Sequence, residues 1–407
     1  MQTNNRFSTY LRDLGAELRG FPPALWVLTG GQFINRFGSF VFPFLALFLS
    51  QRGFTPAHVA LVLGAIAAGQ MLSPFVGGYL ADAIGRRNTI TIALTGGALT
   101  ILSLYYCETL GWLVLMSGLH GFVSQMFSPA ANALLSDVVP EEQRVTAYAI
   151  FRLALNAGYA AGPAMAGLLY TRAPALIFWG DALTTLIFAA GAFWLLPHGL
   201  RTVEGRVSSP AVAWASWREA SVDLVQNRPF LQLLIAKLLM AISFAQAFNV
   251  LAIDTDSRGI VPFEYGLIMG FNGALIMAVE LPLVRWIKRY PARRVLTIGF
   301  TMIGLGCASF AWAETLMGFF VAMAIYTLGE MISLPISAVY AAKLAPPQFR
   351  GRYFGYLGLA WGAASLAASA GVWAYSLLGA SWWIWSGVFG LVAGGLMTMT
   401  WSDRRLN

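Results

Sequence analysis

The sequence predicts an all-α membrane protein in which twelve transmembrane helices form two six-helix bundles related by pseudo-two-fold symmetry. Three observations lead to this fold class: the composition, the apolar runs and an internal repeat. Apolar residues make up 58% of the 407 positions and charged residues only 11%, which excludes an ordinary soluble domain.

Twelve apolar runs are each long enough to cross about 30 Å of hydrocarbon as a helix. Lipid cannot satisfy free backbone groups, so continuous runs of this length cross as α-helices, whereas a transmembrane barrel would show short alternating segments. We number the runs as spans 1 to 12 in chain order, and they cover about 23–50, 56–81, 88–107, 111–136, 144–171, 174–196, 229–252, 263–286, 294–313, 316–342, 351–378 and 381–401.

The second half of the chain repeats the first. The segment 129–144 recurs at 335–350, with two prolines and an arginine at the same places. Such parallel repeats of six spans are a known way to build a membrane transporter. We therefore place an N-terminal bundle at 1–196, a cytoplasmic linker at 197–228 that is either an amphipathic helix or a plain tether, and a C-terminal bundle at 229–407.

The net charge of +8 is distributed unevenly between the two sides of the membrane. Of the 26 lysines and arginines, 20 lie in one set of alternating loops and the termini, 3 lie in the other set and 3 lie within spans. By the positive-inside rule both termini are cytoplasmic, in a bacterial-type inner membrane. The basic excess therefore predicts contact with membrane lipids and not with nucleic acid. The three basic residues in the opposite set of loops are Arg52, Arg172 and Arg258. The three within spans are Arg36, Arg152 and Lys237.

The loop between spans 2 and 3 is the most specific motif. Segment 78–87 reads G-x-L-A-D-x-x-G-R-R, with Asp82 at a helix end, Gly85 for a tight reversal, and Arg86 and Arg87 facing the cytoplasm. This pattern resembles the same loop of the major facilitator superfamily of secondary transporters, although many members carry a basic residue where this chain has alanine after the aspartate.

The resemblance covers essentially the whole chain and implies the major facilitator fold, with a substrate site near the midplane between the bundles. It further implies that Asp82 caps the first turn of span 11 and that the arginines pair with Asp137. We expect this group to act as a conformational switch away from the substrate site. Its members are Gly78, Asp82, Gly85, Arg86, Arg87, Asp137 and Arg144.

Span 5 contains small residues at helical spacing. Gly158, Gly162, Pro163 and Gly167 resemble the span 5 motif G-x-x-x-G-P-x-x-G-G of the superfamily's antiporters, with alanine at the first of the final glycines. The motif occurs once, as in antiporters. The alternative is close helix packing without a role in the mechanism.

Four ionisable residues within spans are candidates for proton coupling or substrate binding: Glu330, Arg36, Asp181 and His120. Glu330 is the deepest acid, and a carboxyl group there can exchange a proton or hold a cationic drug. Arg36 must pair with Glu330, Asp181 or a substrate anion, or else bond to backbone carbonyls. Asp181 and Glu280 could instead form ion pairs near the membrane interfaces, and His120 could be a packing residue.

The predicted function is proton-coupled efflux of small amphiphilic compounds or drugs by alternating access. The alternatives are proton-coupled uptake of a sugar, peptide or carboxylate, and export of a metabolite such as a metallophore. Phosphate-binding loops, metal-ligand spacings and nucleophile–base pairs do not occur, so we expect a monomeric transporter and no enzyme, no metal or other cofactor, and the proton gradient as energy source. The substrate cavity is predicted to include Asn35, Phe40, Gln125, Asn156, Asn249, Tyr326 and Trp361.

Overall fold

The computed structural model describes residues 20–140, 143–198, 210–287, 289–346 and 349–399. Within these ranges the chain is helical and contains no β-strand. Several basic residues of the charge argument lie outside the described residues: Arg6, Arg12, Arg19, Arg201, Arg206, Lys288, Arg404 and Arg405.

The described part of the first half contains eight α-helices. They are α1 (Pro23–Phe37), α2 (Val41–Gln51), α3 (Pro56–Ala83), α4 (Arg86–Tyr106), α5 (Leu110–Gln125), α6 (Phe127–Val138), α7 (Arg144–Arg172) and α8 (Ala175–Leu195).

The described part of the linker and the second half contain nine more α-helices. They are α9 (Pro210–Gln226), α10 (Arg228–Asn249), α11 (Leu251–Ser257), α12 (Pro262–Ile287), α13 (Ala292–Ser309), α14 (Leu316–Leu344), α15 (Arg350–Ser369), α16 (Gly371–Leu378) and α17 (Ser381–Thr398). A short 3₁₀ turn, Phe310–Trp312, extends α13.

All twelve predicted spans are present as helices, with ends within a few residues of the prediction. Spans 1, 4, 7 and 11 are each divided into two helices, which the sequence did not predict. Ten helical segments of the described chain are long and apolar enough to cross a membrane. The other two are α7, which contains three arginines, and α17, which is rich in tryptophan, serine and glycine.

The predicted repeat is visible in where the helices begin. α3, α4, α5, α7 and α8 of the first half begin 206 residues before α12, α13, α14, α15 and α17 of the second half. The contacts between the halves follow the same symmetry, because α7 packs on α12 and α3 packs on α15 and α16. The first contact joins spans 5 and 8, and the second joins spans 2 and 11. The repeat relates the two contacts, because span 5 corresponds to span 11 and span 2 to span 8. The exact bundle boundaries at 196 and 229 stay a prediction.

Glycines allow α7 and α12 to approach each other closely. A methyl group added at Gly270 would lie 2.7 Å from the carbonyl oxygen of Ala160, and one at Gly273 would lie 2.6 Å from the Ala160 nitrogen. Such distances leave no room for a side chain, so the two backbones are in direct contact.

The two halves also meet where α2 contacts α11 and the first turn of α12. We call this region the outer end, and the charge distribution predicts that it is extracellular. Tyr265 Oη donates a hydrogen bond to the Pro43 carbonyl at 3.0 Å, and Gln51 Nε2 approaches Asp256 Oδ1 at 3.4 Å. The Tyr265 ring also packs edge-on against Phe44, with centroids 5.0 Å apart. The two halves are therefore in direct contact at the outer end.

Candidate functional site

A cavity of about 380 Å³ lies among the helices of the first half. Its volume is in the range of small-molecule sites. The lining combines apolar and polar side chains, and the polar ones include Gln32, Asn35, Arg36, His120, Gln125 and Asp181. Five of these six were candidates from the sequence, and Gln32 was not.

Asp181 occupies the break in span 1. Its carboxylate accepts a hydrogen bond from the backbone N–H of Val41 at 3.2 Å, the first residue of α2. The first N–H groups of a helix have no partner within the helix and carry partial positive charge. Asp181, only 9% exposed, thus caps α2 from another helix. None of the ion pairs among the described residues includes Asp181, and the contact observed for it is this capping interaction.

Arg36 extends from the last turn of α1 into the same cavity. One guanidinium nitrogen donates to Tyr159 Oη at 3.2 Å, and the guanidinium carbon lies 5.4 Å from the centre of that ring. Its Nε is buried without a hydrogen-bond partner. Arg36 therefore has a neutral partner, and neither Glu330 nor Asp181 lies within ion-pair distance of it.

His120 is held by neighbouring polar atoms of α4. Its Nδ1 lies 3.1 Å from Thr100 Oγ1 and 3.2 Å from the Gly97 carbonyl oxygen. This geometry fits the packing role that the sequence left open, and the ring also lines the cavity.

Glu330 lies in α14, outside the residues that line this cavity. Asn272 Nδ2 donates a hydrogen bond to its carboxylate at 3.0 Å and also contacts Thr327 Oγ1 at 2.9 Å. The carboxylate is close enough to Glu280 and Arg152 to interact with both electrostatically. Glu330 therefore belongs to a polar group at the junction of α7, α12 and α14.

An ion pair between the halves is the clearest feature that sequence reasoning missed. Arg152 of α7 pairs with Glu280 of α12. The sequence suggested an ion pair for Glu280 near a membrane interface but did not identify Arg152 as its partner. The repeat provided a signal, since it implies that spans 5 and 8 face each other.

The loop motif has the predicted turn and one predicted ion pair. Gly85 has a φ of +96°, which only glycine adopts readily. Arg86 pairs with Asp82, its Nε lies 3.3 Å from Asp137 Oδ2, and it donates to the Ala81 carbonyl at 2.7 Å. Arg86 thus joins the end of α3 to α6.

The other members of the motif are less uniform. Arg87 stacks over Phe193, and Arg144 donates to the Ser136 carbonyl at 2.9 Å. A methyl group at Gly78 would meet nothing within 4 Å, whereas one at Gly77 would lie 2.8 Å from the Cα of Met126. Gly77 is therefore the packing glycine in this structure. The predicted capping of span 11 by Asp82 involves residues 347–348 and the side chain of Arg350, which lie outside the described residues.

The span 5 motif packs on two neighbours. Methyl groups at Gly158 and Gly162 would lie 2.7 and 2.6 Å from the backbone of Phe37 at the end of α1. One at Gly167 would lie 2.8 Å from the Cα of Phe263 in α12. Pro163 is buried, and its carbonyl faces Gly266. The small residues let α7 contact α1 on one side and α12 on the other.

Only part of the predicted cavity set surrounds the cavity. Asn35 and Gln125 line it, and Asn35 donates to Thr185 Oγ1 at 3.0 Å. The remaining residues do not, and two are core residues: Phe40 is 3% exposed, and Tyr326 is 1% exposed and donates to the Phe244 carbonyl. The others outside this lining are Asn156, Asn249 and Trp361.

Comparisons with known proteins agree with this architecture. Residues 28–369 and 250–404 match the family model of the Major Facilitator Superfamily. A Na(+), Li(+), K(+)/H(+) antiporter of Planococcus maritimus is 26% identical over 80% of this chain and 83% of its own. The multidrug resistance protein MdtH of Escherichia coli is 24% identical over 83% and 82%. The crystal structure of a POT family transporter with a thioalcohol-conjugated peptide superposes with a TM-score of 0.76 at 16% identity, over 93% of this chain and 96% of that one.

Proposed function

Because the chain belongs to the Major Facilitator Superfamily, we propose that it exports small amphiphilic compounds in exchange for protons by alternating access. Transport by this family is not an enzymatic reaction. Two relatives support the proposal, since one is named as a cation/proton antiporter and the other as a multidrug resistance protein. The span 5 motif supports it as well, because it resembles that of the superfamily's antiporters.

The coupling carboxylate in this proposal is Glu330. Proton coupling needs an ionisable group, and coupling sites of such transporters lie near the contact between the two halves. Asp82 and Asp137 lie at helix ends, and Asp181 is committed to the N-terminus of α2. Of these four acids, Glu330 is the one that lies beside the ion pair joining the halves, and it accepts a neutral hydrogen bond from Asn272. This placement is the observation that carries the proposal.

The neighbours of Glu330 could couple its protonation to the separation of the two halves. Arg152 comes from the first half, whereas Glu280, Asn272 and Glu330 come from the second. When the halves separate at this point, the arginine leaves and two carboxylates remain close together. Like charges at short distance favour uptake of a proton by one of them. Opening and proton binding are thereby coupled, and a proton gradient supplies the energy.

In the same proposal Arg86 works as the conformational switch. It connects the end of α3 to α6 through Asp82 and Asp137. It lies about two helical turns from Ala93, a cavity residue of the same helix, at the side that the arginines predict to be cytoplasmic. Its role is to set the balance between inward-open and outward-open states.

The test uses proteoliposomes that contain a pH-sensitive dye and have an imposed proton gradient. Adding an amphiphilic substrate should release protons down the gradient in the wild type. Glu330→Gln, which mimics the protonated carboxyl, should abolish gradient-driven transport but retain exchange of labelled substrate for unlabelled substrate. The matched control is Glu314→Gln, because Glu314 is an exposed acid just before α14, the helix that contains Glu330. Full proton-driven transport by Glu330→Gln would exclude this site, and Asp181 and His120 would be tested next.

A second candidate is exchange of monovalent cations for protons, which the name of the Planococcus maritimus relative favours. The same vesicles distinguish the two functions. Proton movement on adding NaCl or KCl, without any amphiphile, would establish cation exchange. Substrate accumulation in the direction of proton flow would instead establish the uptake symporter alternative, and selectivity for a single secreted metabolite would establish the metabolite exporter.

A further inference from the structure

We propose that the cavity of the first half holds an anionic head group against Arg36, so that the substrates are organic anions that carry an apolar body. The inference deepens the proposed export function, on which it rests for the direction of transport, by naming the substrate class. It depends on three features of the cavity: an arginine without an acidic partner, an unused buried amide and an apolar wall.

Arg36 is the centre of this subsite. A guanidinium group inside a membrane keeps its charge and needs a partner. Here its partner is the phenol of Tyr159 at 3.2 Å, and its Nε has none. Among the described residues no carboxylate lies within ion-pair distance of Arg36. A phenol compensates a full charge poorly, so the site favours a ligand that brings a negative charge.

Asp181 is close enough to Arg36 to interact with it electrostatically, but the two do not form a direct ion pair. It is the acidic residue among those that line the cavity, and its carboxylate caps the N-terminus of α2 through Val41. The partial positive charge of the helix end already compensates it. His120 also lines the cavity, but its Nδ1 faces the Gly97 carbonyl. Arg36 is therefore compensated only in part, because its direct partner is the neutral phenol of Tyr159 and Asp181 is shared with the N-terminus of α2.

Gln32 has a buried hydrogen-bond acceptor that a ligand could use. Its side chain is 2% exposed, lines the cavity one turn before Arg36, and its Oε1 has no hydrogen-bond partner. A buried polar atom without a partner costs about 1–3 kcal/mol in a folded protein. A ligand with an N–H or O–H group beside its anion would satisfy both residues.

The rest of the lining provides an apolar wall. Phe127, Phe151 and Leu155 face the same space. Pockets of this size bind drug-sized molecules mainly through such surfaces, while a few polar groups fix the orientation. An organic carboxylate or phosphonate with an aromatic or alkyl body matches this arrangement. An organic cation would be repelled by the charge of Arg36.

The experiment measures binding of three probes that share one fluorophore and differ in charge: dansylglycine, neutral dansylglycinamide and cationic dansyl-ethylenediamine. Fluorescence titration uses purified full-length protein in detergent at pH 7 without a gradient. Dansylglycine should bind at least about tenfold more tightly than the amide, as expected for a charge-assisted hydrogen bond. The cation should bind most weakly. Equal binding of the three, preference for the cation, or no binding of dansylglycine would overturn the proposal.

Variants then locate the preference. Arg36→Gln should remove it, and Arg36→Lys should keep part of it, since lysine retains the charge without the planar fork. Tyr159→Phe, which removes only the competing phenol, should leave the preference intact or larger. The control is Arg172→Gln, at the exposed outer end of α7, which should bind like the wild type.

The outcomes separate this inference from the proposed function. Size-exclusion chromatography shows whether Arg36→Gln folds. If it does not fold, the order of binding in the wild type and the result for Tyr159→Phe still test the proposal. Loss of the anion preference in Tyr159→Phe would contradict an Arg36 subsite. Binding is measured without a gradient, so absence of proton coupling in vesicles would overturn the export mechanism and leave the preference for anions unaffected. Absence of the preference would overturn the substrate class alone.

Discussion

Replacing Arg152 by glutamine should cost more stability than replacing Glu280 by glutamine, although both changes break the same ion pair. The reason is that the two partners differ in their access to solvent. The side chain of Arg152 is 56% exposed, whereas that of Glu280 is 13% exposed. The partner that remains after each change therefore finds a very different environment.

The magnitudes follow from this asymmetry. In Glu280→Gln the remaining arginine turns towards solvent or lipid head groups, and loss of an exposed pair costs about 0–1 kcal/mol. In Arg152→Gln the remaining carboxylate stays largely buried and close to Glu330. Loss of one partner from a fully buried pair costs about 3–5 kcal/mol, and the partial exposure here lowers the expected value to about 2–3 kcal/mol. The double variant should lose less than Arg152→Gln alone, because no charge is stranded.

The assay is reversible unfolding in mixed micelles titrated with SDS and followed by far-UV circular dichroism. Arg172→Gln serves as the control for loss of an arginine from α7 without loss of an ion pair, and it should match the wild type. Equal costs for the two single variants, or a double variant whose loss equals the sum of both, would show that the pair is not coupled in the way the burial values indicate.

Three other outcomes are expected. With the native cysteines replaced, Val261→Cys should react with a membrane-impermeant maleimide in whole cells and Tyr290→Cys should not; the reverse would refute cytoplasmic termini. Gly77→Ala should lower the yield of monodisperse protein because its methyl group meets Met126 Cα at 2.8 Å, whereas Gly78→Ala should not. Asp82→Asn should slow transport by a shift of about 1–3 kcal/mol between states without weakening substrate binding, and an equal loss of both would show that it belongs to the substrate site.

The sequence predicted the spans well because their signal is local. Length and apolar composition decide whether a segment can cross the membrane, and the turn residues between runs mark the ends. The breaks within spans 1, 4, 7 and 11 were not predictable from the same signal, because small and polar residues like those at the first break, Gly38 and Ser39, also occur within unbroken spans. The break at 38–40 is stabilised by Asp181, a residue 140 positions further along the chain from Val41.

The candidate site was predicted less completely. Ionisable residues within spans stand out in any sequence, so Arg36, Asp181 and Glu330 could be named. Their partners could not, because the pair of Arg152 and Glu280 joins residues 128 positions apart. Aromatic residues were the weakest predictions, since Phe40 and Tyr326 have the same signature in the sequence whether they line a cavity or fill a core.

The interruption of span 1 separates the segment that carries Arg36 from the segment that contacts the other half of the molecule. α1 carries Arg36 and rests on α7, whereas α2 contacts α10 and α11 of the other half at the outer end. Because the backbone ladder is broken at 38–40, the break can act as a hinge, and α2 can tilt without dragging the arginine with it. Substitutions in α2 should then alter how fast the transporter cycles while leaving its choice of cargo unchanged, so turnover and selectivity are free to evolve independently.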